Sequence, residues 1–288
     1  MSQDRLDASL DIDQRPSRDI VRIIQAEDAR VAGAVAMEAD KIAHAIDQIA
    51  DRMSHGGHMF YVGAGTSGRI AMLDASELPP TYGVDPSLVQ VIMAGGERAY
   101  FAAAEGAEDD GDAAIEQVNA MVRAEDAVVG IAASGTTPFT VAAIRRANMI
   151  GALTIAVTSV PGSPLESDAD IAITPQSGPE VIMGSSRMKS GTAQKLVLNT
   201  ISTGVMIRLG HVYSNLMIDK PATNEKLRSR AVRMVELAAG VTRPMAVQAL
   251  RDAGGNMRIA SVIARKKVSA DQARRLLEHH SLREVIGE

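Results

Sequence analysis

Cysteine and tryptophan are absent from the 288 residues, and aromatic residues make up only 2% of the chain. Without cysteine there can be no disulfide, no thiol nucleophile and no metal site built on thiolates. The core must therefore consist of aliphatic side chains and the 15 methionines, which we expect to fill gaps in the packing rather than contact ligands.

Long apolar runs and an excess of basic residues are also missing. No run approaches the roughly 18 residues of a membrane-spanning helix. The acidic start, "MSQDRLDASLDIDQRPSRD", has no apolar core, so we expect no signal peptide. The net charge of -5 argues against nucleic acid as a partner, because phosphate binding needs a basic face. These features predict a cytoplasmic protein that binds neither membrane nor nucleic acid.

Short apolar runs alternate with helical segments through the middle of the chain. The runs are "HMFYVG", "LVQVIMA", "DAVVGIAA", "ALTIAVT" and "DIAIT", each followed by a turn rich in glycine, serine, threonine or proline. Continuous apolar strands between helices are typical of a parallel sheet covered on both faces, so the predicted class is α/β, a three-layer αβα sandwich. Such sheets bind ligands at the carboxyl ends of their strands.

Two further segments flank this predicted sheet domain. Apolar residues recur at helical spacing from about 17 to 53 and predict one or two amphipathic helices. The last part of the chain reads as three short charged helices. We therefore divide the chain into an N-terminal helical segment (1–48), a sheet domain (49–215) and a C-terminal helical module (216–288). Within the sheet domain, the helix after the first glycine turn is predicted to stop at Pro79-Pro80.

The glycine turn in "YVGAGTSGR" fits the G-x-G-x-x-G pattern of dinucleotide-binding folds, through Gly63, Gly65 and Gly68. A dinucleotide site also needs an acid at the end of the second strand to bind the ribose. Here that strand ends in "VIMAGG", and the next acid, Glu97, lies beyond the turn. The pattern is therefore weak evidence for NAD, and we expect no redox cofactor.

Three hydroxyl-rich turns, each before a predicted helix, are the candidate phosphosugar-binding elements. Amides and hydroxyls at a helix start suit a compact phosphate with a polyol attached better than a pyrophosphate bridge. Taken singly, each turn is equally consistent with an ordinary helix cap, and a lysine there with a solvated helix start. The candidate binding residues are Gly65, Thr66 and Ser67; Ser134, Gly135, Thr136 and Thr137; and Ser185, Ser186 and Lys189.

Six stretches of the chain, in order, resemble the N-acetylmuramic acid 6-phosphate etherases of bacterial cell-wall recycling. They are "GAGTSGR", "LDASELPPTYG", "EGAEDD", "ASGTTPF", "SSRMKSGTAQK" and "NLMIDKPATNEKL". The resemblance covers essentially the whole chain. It implies the sugar isomerase (SIS) fold with a C-terminal three-helix module similar to UBA domains, and a homodimer, because SIS domains commonly pair. It also implies cleavage of a lactyl ether without metal or cofactor.

The implied reaction opens the sugar ring, removes the C2 proton, expels D-lactate from C3 and adds water there. It needs one group that takes a proton and one that gives it, and two carboxylates can do both. The resemblance assigns Glu77 as the acid at the departing oxygen and Glu108 as the base at C2. From the residues alone, Glu108 cannot be told from its acidic neighbours, because such a run is usually a solvated loop.

Other functions remain open on the sequence. A phosphosugar isomerase shares the C2 proton abstraction, and a sugar-phosphate sensor of the same fold would bind without reacting. The vertebrate regulators of that kind carry two SIS domains, for which this chain is too short. The pair His55 and His58 in "HGGH" has no carboxylate at ligand spacing, so we predict no metal site.

Overall fold

A computed structural model of the chain describes residues 5–219 and 225–287. Part of the motif "NLMIDKPATNEKL", residues 220–224, lies outside the described residues. The chain forms two compact units, one of Met1–Ser76 and Pro86–Val205, the other of Glu77–Asp85 and Met206–Glu288. The domain boundaries after residues 48 and 215 stay predictions.

Among the described residues, three α-helices precede the sheet, where one or two were predicted: α1 (Ser17–Asp28), α2 (Val31–Ala36) and α3 (Ala39–Ser54). The apolar spacing runs on across both breaks, so periodicity alone did not show them. In α3 the buried residues Ile42, Ala45, Ile49 and Met53 follow the spacing of one helical face.

The sheet has five parallel strands, which confirms the predicted α/β class. They are β1 (Met59–Gly63), β2 (Val89–Met93), β3 (Ala127–Ile131), β4 (Leu153–Val157) and β5 (Ile171–Ile173), in the order β2-β1-β3-β4-β5. Every residue of β1, β3 and β4 is buried. This is what continuous apolar strands require when helices cover both faces of a sheet.

Helices of the first unit lie on both faces of this sheet. They are α4 (Gly65–Tyr82), α5 (Gly111–Met121), α6 (Pro138–Ile150), α7 (Pro164–Asp168) and α8 (Lys189–Arg208), of which α4 and α8 run on into the second unit. Phe60 and Val62 of β1 belong to the core cluster that includes Phe139 of α6. Tyr61 points to the opposite face, where its hydroxyl donates to Asp74 of α4 at 2.8 Å.

The prediction that α4 stops at Pro79-Pro80 was wrong, because the helix ends at Tyr82. Proline lacks an amide hydrogen, yet its fixed φ fits a helix. The last turn is held by the amide of Gly83, which donates to the carbonyl of Pro79 at 2.9 Å. Leu78 and Tyr82, four residues apart, are both buried.

The second unit contains a short antiparallel hairpin of β6 (Val212–Tyr213) and β7 (Leu216–Met217). Its helices after residue 224 are α9 (Glu225–Ala239), α10 (Arg243–Asp252), α11 (Met257–Lys266), α12 (Ala270–His279) and α13 (Leu282–Ile286). Two of the three predicted helical stretches are thus each divided in two. Gly254 and Gly255, both with positive φ, separate α10 from α11, and a capping box at Ser281 starts α13. Across residues 5–219 and 225–287, no helix has both the length and the apolar character needed to cross a membrane.

Candidate active site

Three loops leave the sheet side by side at the point where the strand order reverses. In the parallel register, Gly63 at the end of β1 pairs with Met93 of β2 and with Ile131 of β3. The loops that follow these three strands therefore begin at the same edge. The crevice outside the strand ends at such a switch point is where open parallel sheets bind ligands.

The first loop is very tight, and Gly68 makes it possible. A Cβ at Gly68 would lie 2.1 Å from Sδ of Met93 and 2.8 Å from the carbonyl oxygen of Gly63. Helix α4 can therefore start at Gly65, two residues after β1 ends. The amides of Gly65, Thr66 and Ser67 are the first of this helix and have no acceptor within it, so they can serve an anion.

A cavity of about 240 Å³ lies beside this helix start. Its wall includes Gly65 and Arg69 of α4, together with Glu105 and Glu108 from the segment after β2. The structure thus brings Glu108 and the first glycine turn to one cavity. Arg69 stands in the motif "GAGTSGR", but no spacing or pattern in the sequence singled it out.

The acidic run around Glu108 is divided by the structure into different roles. Asp110 caps α5, its carboxylate accepting from the amide of Ala113 at 2.9 Å. Asp109 lines a different cavity, of about 550 Å³. Only Glu105 and Glu108 line the cavity at the start of α4. The sequence could not distinguish Glu108 from the acids beside it, because they differ only in where the fold places them.

The second loop, after β3, approaches the loop after β4. Gly135 has a φ of 67°, and a Cβ there would lie 2.2 Å from Oγ of Ser163. Ser134 accepts from the hydroxyl of Thr136 at 3.0 Å. Thr137 is the N-cap residue of α6 with Pro138 in the first turn, although its side chain makes no capping bond. Thr136 lines the cavity of about 550 Å³ rather than the one beside α4.

The third hydroxyl stretch lies against the first. Ser185 and Ser186 are half-buried, and the carbonyl of Ser186 accepts from the amide of Gly191 at 3.1 Å. A Cβ at Gly191 would lie 3.8 Å from the methyl group of Thr66, so the beginnings of α4 and α8 are neighbours.

The start of α8, however, already holds a protein carboxylate. Glu180, which is buried, accepts from the amides of Lys189 at 3.0 Å and Ser190 at 2.9 Å. Lys189 is only 1% exposed, and its Nζ donates to Glu27 at 2.5 Å and to the carbonyl of Pro179 at 2.8 Å. Contact of Lys189 with a substrate, which stays a prediction, would require the pair with Glu27 to open.

Glu77 lies near the end of α4 and is exposed. It belongs to the second unit, whereas Glu108 belongs to the first. One turn before Glu77, the buried carboxylate of Asp74 accepts from Tyr61, from Ser202 at 3.0 Å and from Asn199 at 2.5 Å. Burial raises the pKa of the Tyr61 hydroxyl well above its usual value, and the negative charge of Asp74 adds to the rise.

Within the described parts of the chain, no three histidine or carboxylate side chains are grouped as metal ligands. His55, one of the two histidines of "HGGH", is exposed and its Nδ1 lies 2.8 Å from the carbonyl of Asp51.

Comparison with known proteins shows the family and the fold of the chain. Residues 98–203 match the SIS domain family, and residues 41–148 match the N-terminal SIS domain of glucokinase regulatory protein. An N-acetylmuramic acid 6-phosphate etherase of Symbiobacterium thermophilum is 56% identical, over 91% of this chain and 87% of its own length. The chain belongs to the N-acetylmuramic acid 6-phosphate etherase family. The etherase of Clostridium beijerinckii is 48% identical, over 95% of this chain and 90% of that one.

Solved structures outside the etherase family share the fold. A phosphoheptose isomerase from Francisella tularensis superposes with a TM-score of 0.53 at 18% identity, covering 66% of this chain and 98% of its own. A phosphoheptose isomerase from Neisseria gonorrhoeae superposes with a TM-score of 0.51 at 17% identity, covering 66% of this chain and 98% of its own. At these identities the likeness extends to the SIS fold alone.

Proposed function

We propose that this etherase-family protein cleaves the lactyl ether of N-acetylmuramic acid 6-phosphate, giving N-acetylglucosamine 6-phosphate and D-lactate. It is a carbon–oxygen lyase that acts by elimination followed by hydration, in the recycling of cell-wall amino sugars in the cytoplasm. The observation that carries the mechanism is the cavity in which a free helix start and Glu108 share one wall.

The phosphosugar would lie at the carboxyl edge of the sheet. Its anionic phosphate suits the amides of Gly65, Thr66 and Ser67, because a helix start offers donors and a partial positive charge. The turn at Ser134–Thr137 and the hydroxyls of Ser185 and Ser186 are the proposed partners of the remaining polar groups. No cofactor or metal is part of this proposal.

The two carboxylates divide the proton transfers. In the open-chain sugar, the C1 aldehyde acidifies the C2 hydrogen, and Glu108 takes that proton. The C3–O bond then breaks as Glu77 protonates the oxygen that leaves with lactate. Water adds to C3 of the unsaturated aldehyde, with the two roles reversed, and a proton returns to C2. Nothing is oxidised or reduced, and the net change is addition of one water across the ether.

We further propose a homodimer in which Glu77 acts on the sugar held by the second copy. Glu77 follows Gly65 by 12 residues on α4, and at 1.5 Å per residue this is about 18 Å along the helix axis. The amides that would hold the phosphate and the acid that would protonate lactate are therefore far apart within one chain. A second copy can supply the acid at a symmetric interface.

The first test follows D-lactate and the sugar by mass after reaction in ¹⁸O-labelled water. Unlabelled lactate with the label at C3 of the sugar is expected. Glu77→Gln and Glu108→Gln should each reduce lactate release by about 10²–10⁴-fold, the usual contribution of an acid or base. Saturable binding of the substrate without lactate would instead favour a sensor, and a ketose 6-phosphate product an isomerase.

The second test asks which chain supplies Glu77. The Glu77→Gln and Glu108→Gln proteins are unfolded together and refolded, so that mixed dimers form. If each site takes one carboxylate from each chain, half of the sites in a mixed dimer are intact, and the random mixture recovers about one quarter of wild-type activity. No recovery from verified mixed dimers would show that both carboxylates of a site come from one chain.

A further inference from the structure

The segment between β2 and α5, residues 94–110, carries Glu108 and meets the core cluster of the sheet through the small side chains of Ala94, which is buried, and Ala107, which is partly buried. Its large apolar side chain Phe101 is 95% exposed, and Ala99 is the buried member of its short alanine-rich stretch. Gly95 packs closely against this stretch, since a Cβ there would lie 2.5 Å from Cβ of Ala104. The backbone hydrogen bonds made by residues 97–109 among themselves close local turns only.

Arg69 of α4 ties this segment to the rest of the fold. Its Nε donates to the carbonyl oxygens of Ala99 at 3.1 Å and Tyr100 at 3.2 Å, and its Nη2 donates to that of Ala102 at 3.1 Å. Among the described residues, these are the hydrogen bonds that join residues 97–109 to another element of the fold. Arg69 also lines the cavity that Glu108 lines.

We propose that Arg69 is a positioning residue for Glu108. Its guanidinium fixes three carbonyls of the segment that presents Glu108, and Arg69 itself sits one turn after the amides that would hold the phosphate. The distance between phosphate and base is thereby set from a single helix. The role needs arginine, because the planar fork reaches several acceptors at once, whereas a lysine ammonium is a single flexible point.

This inference rests on the proposed function, in which Glu108 removes the C2 proton. A displacement of about 1 Å at a reacting group can cost about 10²-fold in rate. Arg69→Lys keeps the charge and loses the fork, so we expect kcat to fall about 10–100-fold while KM changes by less than about threefold. Arg98→Lys, which alters an exposed arginine of the same segment, is the matched control and should keep wild-type kcat.

A double-mutant cycle separates positioning from other roles. If Arg69 acts through Glu108, Arg69→Lys should lower lactate release by no more than about twofold once Glu108 is already glutamine. Additive losses, or a rise in KM with kcat unchanged, would overturn the inference and assign Arg69 to substrate binding instead. Wild-type turnover in Arg69→Lys, with Glu108→Gln inactive, rejects this inference alone. Wild-type turnover in Glu108→Gln rejects the proposed base and this inference together.

Amide hydrogen exchange gives a readout that does not depend on activity. Arg69→Lys should speed exchange across residues 97–109 and leave α6 as protected as in the wild type. Faster exchange throughout the first unit would show a general loss of stability, and would count against a specific positioning role.

Discussion

Replacing Asp74 by alanine should destabilise the first unit by about 2–4 kcal/mol. The carboxylate accepts from the hydroxyls of Tyr61 and Ser202, which are 0% and 1% exposed, and from Asn199. A buried donor left without an acceptor costs about 1–3 kcal/mol. Tyr61 should bear this cost in full. Ser202 should cost about 1 kcal/mol, at the low end of that range, because the carbonyl of Asn199 lies 3.4 Å from its hydroxyl. Asn199 is half-buried and can donate to water instead.

Asp74→Asn is the matched control, because it keeps the shape and one acceptor oxygen. We expect it to cost about 1–2 kcal/mol, since neutral hydrogen bonds are roughly half as strong as those to a charged group. The assay is urea unfolding followed by far-ultraviolet circular dichroism, as the chain has no tryptophan. If alanine cost less than about 0.5 kcal/mol, or no more than asparagine, unsatisfied donors would not be the cause.

Three further predictions concern pH and local packing. Above pH ~10 the unfolded chain releases the proton of Tyr61 whereas the folded protein keeps it, so the free energy of unfolding falls as pH rises past ~10. Tyr61→Phe should make this decline with pH shallower. An unchanged decline, measured by urea unfolding at several pH values, would argue against the prediction. Gly135→Ala should lower the free energy of unfolding by about 2–4 kcal/mol, because the strain of a positive φ and the clash with Ser163 add. Gly56→Ala is the control, since Gly56 has a positive φ but open space around it, and it should lower the same quantity by only about 1 kcal/mol. Glu180→Gln leaves one of the first two amides of α8 without its acceptor, and a loss below about 0.5 kcal/mol on urea unfolding would contradict that role.

The sequence was sufficient to predict the sheet and the start of α4. Each strand was a continuous apolar run, and in "YVGAGTSGR" the glycines at 63 and 68 stand where the chain passes within van der Waals contact of itself. Such features are local, so the spacing of residues along the chain records them. The predicted parallel sheet and the family resemblance also depend on such local stretches of sequence, and both were confirmed.

The contacts that organise the site were not predictable in this way. Lys189 meets Glu27 across 162 residues, and Ser202 meets Asp74 across 128. In the sequence, a glutamate that caps a distant helix, as Glu180 does, looks the same as a glutamate on a solvated surface. Periodicity reports which face of an element is buried, but not which polar group it meets there. The sequence therefore identified a lysine at a helix start and could not foresee that a carboxylate already holds it.

Helix α4 is held by side-chain contacts on two sides, which supports its proposed role at the candidate site. Arg69 and Asp74 are five residues apart, so their side chains leave the helix about 140° from one another. Arg69 binds the segment that carries Glu108, while Asp74 binds β1 and α8 through Tyr61 and Ser202. A helix held on one side only could still roll about its axis. Held on both, it keeps the amides at its start pointing in one direction, which is what binding an anion at a helix N-terminus requires.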